Sequence, residues 1–301
     1  MAKIQEKILI IKLSALGDFI QNLGIMRSIR HHHRNAHITL LTTAPYKDFA
    51  EKSGYFDEIW VDPRPKFYQI KTWIGLKNKL NHAHFSRVYD LQINDRTALY
   101  YSLLNPKPEW IGAVKKDKRN KTGFAFYRHK EMVEKVGIKN VNIDRMEWIN
   151  SDISRFDLKK PYALIIPGCA PTRPEKRWPA AHFIDLCHYL INQNIQPVII
   201  GTNDEKDVTD HIAQNCPEAL NLAGKTSLFD IAPLARNALI SIGNDTGPLH
   251  IIGPTGCPSI VLFSGKSDPS CHAPLGDKII TLQKDNIADI LPQDVIDKIN
   301  L

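Results

Sequence analysis

The sequence predicts an α/β protein made of two doubly wound, Rossmann-like domains, and three observations support that prediction. Short apolar runs alternate with stretches in which apolar residues recur at helical spacing, as in residues 18–29. A polar stretch that ends in proline, residues 150–161, interrupts this alternation, which then restarts. The chain has 301 residues, about twice the length of a typical domain. We therefore expect two parallel sheets covered by helices, one in residues 1–155 and one in residues 156–301.

The predicted elements of both halves alternate between strand and helix. In the first half, apolar runs predict strands at 8–13, 37–41, 58–61 and 87–91, and helical spacing predicts helices from 18, at 45–52 and at 66–82. In the second half, the same patterns predict strands at 162–166, 197–200, 239–242 and 259–263 and helices at 180–192, 204–214 and 228–235. A C-terminal helix within residues 285–301 is expected to pack back on the N-terminal domain. Ligands of such sheets bind beyond the carboxyl ends of the strands, so the loops that follow strands are the expected sites of chemistry.

The bulk composition narrows the class of protein. No apolar run reaches the roughly 18 residues that a membrane span requires. The five cysteines are odd in number and form no CxxC pair, which indicates reduced thiols and a cytoplasmic location. Residues 1–155 contain 27 Lys and Arg against 16 Asp and Glu, whereas residues 156–301 contain 12 against 16. The basic half is expected to face an anionic partner, and a merely solvated basic surface is the alternative.

The first motif, KLSALGD, spans residues 12–18 at the end of the first predicted strand. It contains only Gly17 and lacks the three glycines of a dinucleotide fingerprint, which disfavours a nicotinamide enzyme. Asp18 stands where the strand gives way to its helix. Two interpretations remain open: a helix N-cap that accepts amide hydrogen bonds, or a carboxylate at the ligand edge that acts as a general base.

The second motif, PGCAPTRPEKRWP, is a loop at residues 167–179 that follows the first strand of the second half. It concentrates one hydroxyl and three cations, at Thr172, Arg173, Lys176 and Arg177. Such groups at a strand edge suit a phosphate, and Lys176 would act as a point charge on a leaving diphosphate. An ordinary basic surface loop is the alternative.

The third motif, IGNDTGPLH, spans residues 242–250 after another strand. Polar residues followed by proline are typical of a helix start. The unpaired amides of a first helical turn attract anions, and a glycine lets a ligand approach the backbone closely. A plain helix cap and a core histidine are the alternatives, but four residues together favour a ligand site: Asp245, Thr246, Gly247 and His250.

Together, the three motifs resemble those of the lipopolysaccharide heptosyltransferases, glycosyltransferase family 9, in the same order and at similar spacing. The resemblance covers nearly the whole chain. It implies a GT-B type fold, two Rossmann-like domains that face each other across a cleft, with the acceptor on the N-terminal domain and the donor on the C-terminal one. It also implies an inverting transfer of heptose from ADP-L-glycero-D-manno-heptose to the lipid A–Kdo inner core of lipopolysaccharide.

By the same resemblance, the motif residues acquire roles. Asp18 matches the proposed catalytic base, and Lys176 is the catalytic cation of the phosphate loop. The donor-binding residues are then Thr172, Arg173, Glu205, Asp245, Thr246, Gly247 and His250. Glu205 falls roughly where the family places a carboxylate on the adenosine ribose, and Asp204 and Asp207 compete for that role. Pro171 and Pro248 depart from the family pattern, which leaves the identity of the donor sugar open.

The acceptor side is expected in the basic half. We expect Arg64, Arg96, Lys116 and Arg119 to bind the anionic lipid A–Kdo acceptor. The densest basic run, residues 115–128, suits an anionic membrane surface at the cytoplasmic face of the inner membrane, and a solvated flexible loop is the alternative.

No DxD element is evident, so neither a metal nor another cofactor is expected, and nucleic acid is not an expected partner. Three rival functions remain. They are a related GT-B enzyme with a different nucleotide sugar, a nucleotide-sugar epimerase, and a non-catalytic nucleotide-binding homologue.

Overall fold

The computed structural model describes residues 5–113 and 123–299. The chain divides into two compact units, Met1–Asp144 and Arg145–Leu301, earlier than the predicted boundary at residue 155. The side chain of Arg236 explains the difference, since its guanidinium donates to the carbonyls of Met146 and Ile149 at 2.5 and 2.6 Å. These hydrogen bonds tie the chain just after Asp144 to the second unit.

The first unit contains a five-stranded parallel sheet. Its strands are β1 (Lys7–Ile11), β2 (His37–Thr42), β3 (Glu58–Val61), β4 (Arg87–Asp90) and β5 (Glu109–Ile111). They lie in the order β3-β2-β1-β4-β5. The central strand β1 is buried along almost its whole length, because parallel sheets of this kind are covered on both faces. The sequence patterns predicted the first four strands and missed β5, which is short and only partly buried.

The described residues of the first unit form five helices. They are α1 (Leu16–His32), α2 (Lys47–Ser53), α3 (Ile70–His82), α4 (Asp95–Leu103) and α5 (Ala125–Glu134). Helix α1 is buried on all sides over residues 19–26 and packs against α5. Their contact includes a buried hydrogen bond of 2.6 Å between His129 Nδ1 and Asn22 Oδ1.

The second unit contains a six-stranded parallel sheet. Its strands are β6 (Tyr162–Ile166), β7 (Gln196–Ile199), β8 (Leu220–Asn221), β9 (Ile240–Asn244), β10 (Ser259–Ser264) and β11 (Ile279–Lys284). They lie in the order β11-β10-β9-β6-β7-β8. The edge strands β8 and β11 are half-exposed and lack the continuous apolar run that predicted the inner four.

In the second unit, residues 145–299 form six helices. They are α6 (Ala180–Asn192), α7 (Lys206–Asn215), α8 (Leu228–Asn237), α9 (Gly247–Ile252), α10 (Pro269–His272) and α11 (Pro292–Ile296). Within the residues described, no helix is long and apolar enough to cross a bilayer.

The C-terminal segment differs from the single helix expected over 285–301. It forms a 3₁₀ turn, Ile287–Asp289, followed by the short helix α11, whose first residue is a proline. Its side chains Ile287, Ile290 and Val295 are buried in the core of the second unit. The indole of Trp178 donates to the carbonyl of Ile290 at 2.7 Å and anchors the segment there.

Candidate active site

The strand orders locate a candidate ligand edge in each unit. In the first sheet the order reverses between β1 and β4, and in the second it reverses between β6 and β9. In open parallel sheets, ligands bind beyond the carboxyl ends of the strands at such a switch point. All three sequence motifs lie at the ends of strands that border these two points: residues 12–18 follow β1, residues 167–179 follow β6, and residues 245–250 follow β9.

Asp18 lies in the first turn of α1 and is not its N-cap. The helix begins at Leu16 and Ala15 is the capping residue, so the interpretation of Asp18 as an N-cap is wrong. The Asp18 side chain is 51% exposed, and its carboxylate lies 3.8 Å from the Nζ of Lys12. A carboxylate in a first helical turn is stabilised by the amides and the dipole of the helix. A general base at this edge of the sheet requires an exposed carboxylate, and Asp18 meets that requirement.

Lys12 is the buried partner of this carboxylate. Its side chain is only 3% exposed, and burial lowers its pKa, although Asp18 and Asp90 act in the opposite direction. Asp90, the last residue of β4, is also fully buried, and burial raises its pKa. Lys12 and Asp90 are thus two buried titratable groups close to an exposed carboxylate, which is typical of a functional site. Lys12 is the first residue of the motif KLSALGD, but the sequence predicted no role for it.

Hydrogen bonds tie the loop after β1 to the loop after β4. The Oε1 of Gln92 accepts from the backbone amides of Leu13 and Ser14 at 2.9 and 3.1 Å. The Oδ1 of Asp90 accepts from the amides of Gln92 and Ile93, both at 3.0 Å. The backbone that leads into α1, and so positions Asp18, is therefore held by residues that lie about eighty positions further along the chain.

Arg64 reaches the same edge from the loop after β3. Its Nη2 donates to the carbonyl of Leu13 at 3.4 Å, and its own amide donates to Asp62 Oδ1 at 2.8 Å. The guanidinium is exposed and available to an anionic group. Of the expected acceptor residues, Lys116 and Arg119 lie outside the described residues.

Arg96 joins the network around Asp62. In α4, its Nη1 donates to the hydroxyl of Tyr100 at 3.2 Å and its Nη2 to the carbonyl of Pro65 at 3.5 Å. The Tyr100 hydroxyl donates to Asp62 Oδ2 at 2.7 Å. Burial raises the pKa of Tyr100, so the phenol stays protonated and remains a donor. Asp62 thus links the backbone of Arg64 to the Tyr100 hydroxyl, which in turn contacts the Arg96 guanidinium.

In the second unit, Lys176 and Asp245 form a largely buried ion pair. The Lys176 Nζ lies 2.5 Å from Asp245 Oδ2, and the side chains are 15% and 7% exposed. Ser267, in the loop after β10, donates to the same oxygen at 2.7 Å and accepts from Lys176 at 3.3 Å. The second and third motifs therefore meet at these two residues. Ser267 was not predicted because no motif contains it. Its position in the loop that follows a predicted strand could have identified it as a candidate.

Asn244 fixes the loop that carries Lys176. This buried residue ends β9, and its Nδ2 donates to the carbonyl of Pro167 at 2.7 Å. Its Oδ1 accepts from the amide of Trp178 at 3.1 Å. The first and last parts of the loop 167–179 are thus pinned to the end of β9, which holds Lys176 against Asp245.

The turn after Asp245 has the expected helix start. Thr246 is the N-cap of α9, which begins at Gly247. Thr246, Gly247 and His250 are all partly buried, and His250 lies in the first turns of the helix. Asp245 does not cap the helix, because its carboxylate binds Lys176 and Ser267.

The three other candidate residues of the loop 167–179 are more peripheral than Lys176. Thr172 is exposed. Arg173 is also exposed and pairs with Glu175 at 2.5 Å. Arg177 donates to the carbonyl of Cys169 at 3.0 Å and so braces the loop itself. Lys176 is consequently the cation of this loop that the structure holds most firmly in place.

Glu205 lies against the loop after β6. It ends a 3₁₀ turn after β7, and its Oε2 accepts from the amide and the hydroxyl of Thr202 at 2.7 and 3.1 Å. A Cβ on Gly168 would come within 1.8 Å of Glu205 Oε1, so only glycine allows this approach. The competing residues Asp204 and Asp207 are exposed, whereas Glu205 is half-buried beside the loop.

Within residues 5–113 and 123–299, no cluster of three or more His, Cys, Asp or Glu side chains is arranged to hold a metal ion.

Solved structures with a similar fold show which fold class this protein has. The two parallel sheets form a GT-B type fold. The glycosyl transferase family 9 structure from Veillonella parvula matches with a TM-score of 0.79 and 19% identity, over 98% of this chain and 96% of that one. Heptosyltransferase WaaC of E. coli with ADP-2-deoxy-2-fluoro heptose matches with a TM-score of 0.73 and 15% identity, over 97% and 98% of the two chains.

The sequence itself shows the family. The family described as glycosyltransferase family 9 (heptosyltransferase) matches residues 113–290, which is more than half of the chain. The chain belongs to glycosyltransferase family 9 and is a glycosyltransferase. Lipopolysaccharide heptosyltransferase 2 of Escherichia coli is 23% identical over 344 aligned positions, covering 98% of this chain and 97% of that protein. Lipooligosaccharide heptosyltransferase 2 of Haemophilus influenzae is 31% identical over 165 residues, covering 47% of each.

Proposed function

We propose that the protein is an inverting heptosyltransferase that transfers heptose from ADP-L-glycero-D-manno-heptose to the lipid A–Kdo inner core of lipopolysaccharide. Family membership and the solved relative with an ADP-heptose analogue support this choice of donor. The observation that most supports catalysis is the half-exposed Asp18 carboxylate at the switch point of the first sheet. The lipid acceptor places the enzyme at the cytoplasmic face of the inner membrane.

In this proposal, Asp18 is the general base. It takes the proton of an acceptor hydroxyl, which attacks the anomeric carbon from the face opposite the diphosphate. The C–O bond to the diphosphate breaks, and the electron pair leaves with ADP. The single displacement inverts the configuration at that carbon. Lys12, buried 3.8 Å from the carboxylate, orients it.

The donor is proposed to bind at the second unit. Lys176, held by Asp245 and Ser267, faces the diphosphate and stabilises the charge that develops on it as the sugar leaves. The remaining donor contacts are assigned to Thr172, Arg173, Thr246, Gly247, His250 and, for the ribose, Glu205. Because a fixed ammonium group supplies the positive charge, we propose that transfer does not require a divalent metal.

The acceptor is proposed to bind at the first unit. Arg64 and Arg96, linked through Asp62 and Tyr100, present two cations near the edge that holds Asp18. Kdo carboxylates and lipid A phosphates are suitable anionic partners for guanidinium groups. Lys116 and Arg119 are assigned to the same acceptor.

A panel of nucleotides tests the proposed donor. Thermal unfolding is measured with ADP, UDP, GDP and CDP, with and without a chelator. Of the four nucleotides, only ADP should raise the melting temperature. At a hundredfold excess over its dissociation constant, it should increase the free energy of unfolding by about 2.7 kcal/mol. Preference for UDP or GDP would exclude an ADP-sugar donor, and loss of ADP binding with the chelator would exclude metal-independent binding. Release of a free sugar epimer from a nucleotide sugar without acceptor would instead indicate an epimerase.

A further inference from the structure

The segment after β3 exposes apolar side chains that the proposed chemistry does not use. Phe67 is 90% exposed, Ile70 67%, Tyr68 61% and Ile74 53%. These four residues are here called the α3 patch. A solvent-facing cluster of large apolar side chains at neighbouring positions is unusual in a soluble domain and marks an interaction surface.

The tip of the α3 patch is a well-formed turn. The Lys66 carbonyl accepts from the Gln69 amide at 2.9 Å and from the Trp73 indole at 3.1 Å. The Gln69 side chain closes the turn by accepting from the Lys66 amide at 2.8 Å. These bonds fix the backbone around Phe67 and Tyr68, so both rings project from a turn that the structure holds in shape.

The rest of the patch lies on the outer face of α3. Leu76 and Leu80 are buried and define the inner face of this helix. At 100° per residue, Ile70 and Ile74 lie about 80° to 160° around the helix from these leucines, one turn apart, and both are exposed. Lys71 and Lys77 of the same helix are exposed as well.

The charge around the patch has one sign. Residues 63–89 contain no Asp or Glu. The same stretch contains six cations, namely Arg64, Lys66, Lys71, Lys77, Lys79 and Arg87. Lys79 lies over the ring of Trp60, 4.1 Å from its centroid, and Lys66 lies 5.9 Å from the centroid of the Tyr68 ring. Lys66, Lys71 and Lys77 are therefore the cations that flank the apolar side chains.

We propose that the α3 patch docks the first unit on the surface of an anionic lipid bilayer. Phe67 and the two isoleucines enter the boundary between headgroups and acyl chains, Tyr68 lies at headgroup depth, and Lys71 with its neighbours contacts lipid phosphates. Apolar side chains flanked only by cations match an anionic bilayer and not a merely apolar partner. This inference rests on the proposed function only for the lipid nature of the acceptor; bilayer binding itself is independent of heptose transfer.

The test is flotation of the full chain with vesicles of phosphatidylcholine alone and with added phosphatidylglycerol. Binding should require the anionic lipid and should weaken at high salt, because salt screens the cations. The variant F67S/I70S/I74S should lower partitioning more than tenfold, and Lys71→Glu/Lys77→Glu should lower it by roughly fivefold or more per cation. The matched control Leu239→Ser/Leu291→Ser removes exposed apolar side chains from the second unit and should not change binding.

A second measurement keeps the inference testable if the triple variant folds poorly. Phe67→Trp should gain fluorescence that brominated lipids quench only in anionic vesicles. Transfer to a water-soluble, lipid-free acceptor separates the two proposals, since the triple variant should retain that activity while losing vesicle binding. Equal vesicle binding by the wild type and the triple variant would overturn docking through this patch. So would a wild-type dimer that the triple variant converts to monomer, because the patch would then be a self-interface.

Discussion

Lys12 and Asp18 show how single residues set up the proposed chemistry. The lysine is buried under the sheet edge, and the aspartate stands 3.8 Å away in the first turn of α1 with half of its side chain exposed. The lysine lies near the carboxylate without covering it. In the proposed mechanism, an acceptor hydroxyl reaches the carboxylate from the solvent side.

Asp18→Asn tests the proposed base at the residue scale. The amide keeps the shape of the side chain but accepts no proton, so transfer should fall by about 100- to 10,000-fold. ADP affinity should stay unchanged, because the donor residues lie in the other unit. The measurement is single-turnover transfer beside ADP titration. Asp48→Asn, an exposed carboxylate in the first turn of α2, is the control. Transfer at the wild-type rate would show that another group is the base.

Lys176→Ala tests the buried ion pair. Removing the ammonium leaves Asp245 buried without its cation, which should lower the free energy of unfolding by about 3 kcal/mol. Stabilisation by ADP should be lost as well. The control is Lys135→Ala, which breaks an exposed pair with Glu131 and should leave the free energy of unfolding nearly unchanged. Chemical denaturation with and without ADP measures both effects. An undiminished response to ADP would contradict the role of Lys176.

At this scale, the sequence motifs predicted those features that depend only on residues next to each other in the chain. Thr246 and Gly247 start a helix as expected, because capping is a local preference. Lys12 and Ser267 escaped prediction, because their importance depends on partners far along the chain. The N-cap interpretation of Asp18 was wrong, since α1 begins two residues earlier, at Leu16.

At the scale of elements, the buried strands and their helices could be predicted, and the exposed edges could not. The apolar runs of β1, β6 and β10 are covered on both faces, so composition alone identifies them. The edge strands β8 and β11 lie half in solvent and mix polar with apolar residues. Their place depends on pairing with a neighbouring strand, which no local pattern records.

Gly168→Ala tests how the loops after β6 and β7 fit together. The added methyl group would come within 1.8 Å of Glu205 Oε1, so the carboxylate or the loop must move. We expect ADP affinity to fall by about tenfold or more, since about 1.4 kcal/mol of lost contact is tenfold. Isothermal titration measures it. The matched control Gly75→Ala lies in α3 with open space around its Cβ and should stabilise the protein by about 0.4 to 1 kcal/mol. Unchanged ADP affinity in Gly168→Ala would show that this contact does not shape the donor site.

The contact between α1 and α5 predicts a pH dependence of stability. Burial lowers the pKa of His129 to about 3, and Lys12 and Arg128 add to the effect. The unfolded state binds a proton near pH 6.5 and the folded state does not, so this stabilising contribution is complete above that pH. It is lost towards pH 3, by about 1.4 kcal/mol per unit. Urea unfolding across this range should show a shallower slope for His129→Gln than for the wild type. Parallel curves would contradict a neutral, buried His129.

At the scale of the whole molecule, the order of the three motifs along the chain predicted the family. Each unit places its motifs directly after strands of a parallel sheet, as the alternation of elements predicted, but the strand orders that put these strands at switch points were not predicted. The boundary between the units could not be predicted from the polar stretch 150–161, since residues 145–149 are bound by the distant Arg236. The α3 patch was likewise missed, because the periodicity of α3 does not show which of its faces lacks a partner.

The most direct test of the central claim is mass spectrometry of the acceptor after incubation with ADP-L-glycero-D-manno-heptose and the purified protein. We predict that the lipid A–Kdo acceptor gains one heptose per ADP released, in the presence of a chelator, and that Asp18→Asn gives at least about 100-fold less product in the same time. Release of ADP without gain of mass by the acceptor, or no turnover by a protein that binds ADP tightly, would contradict heptosyl transfer to this acceptor.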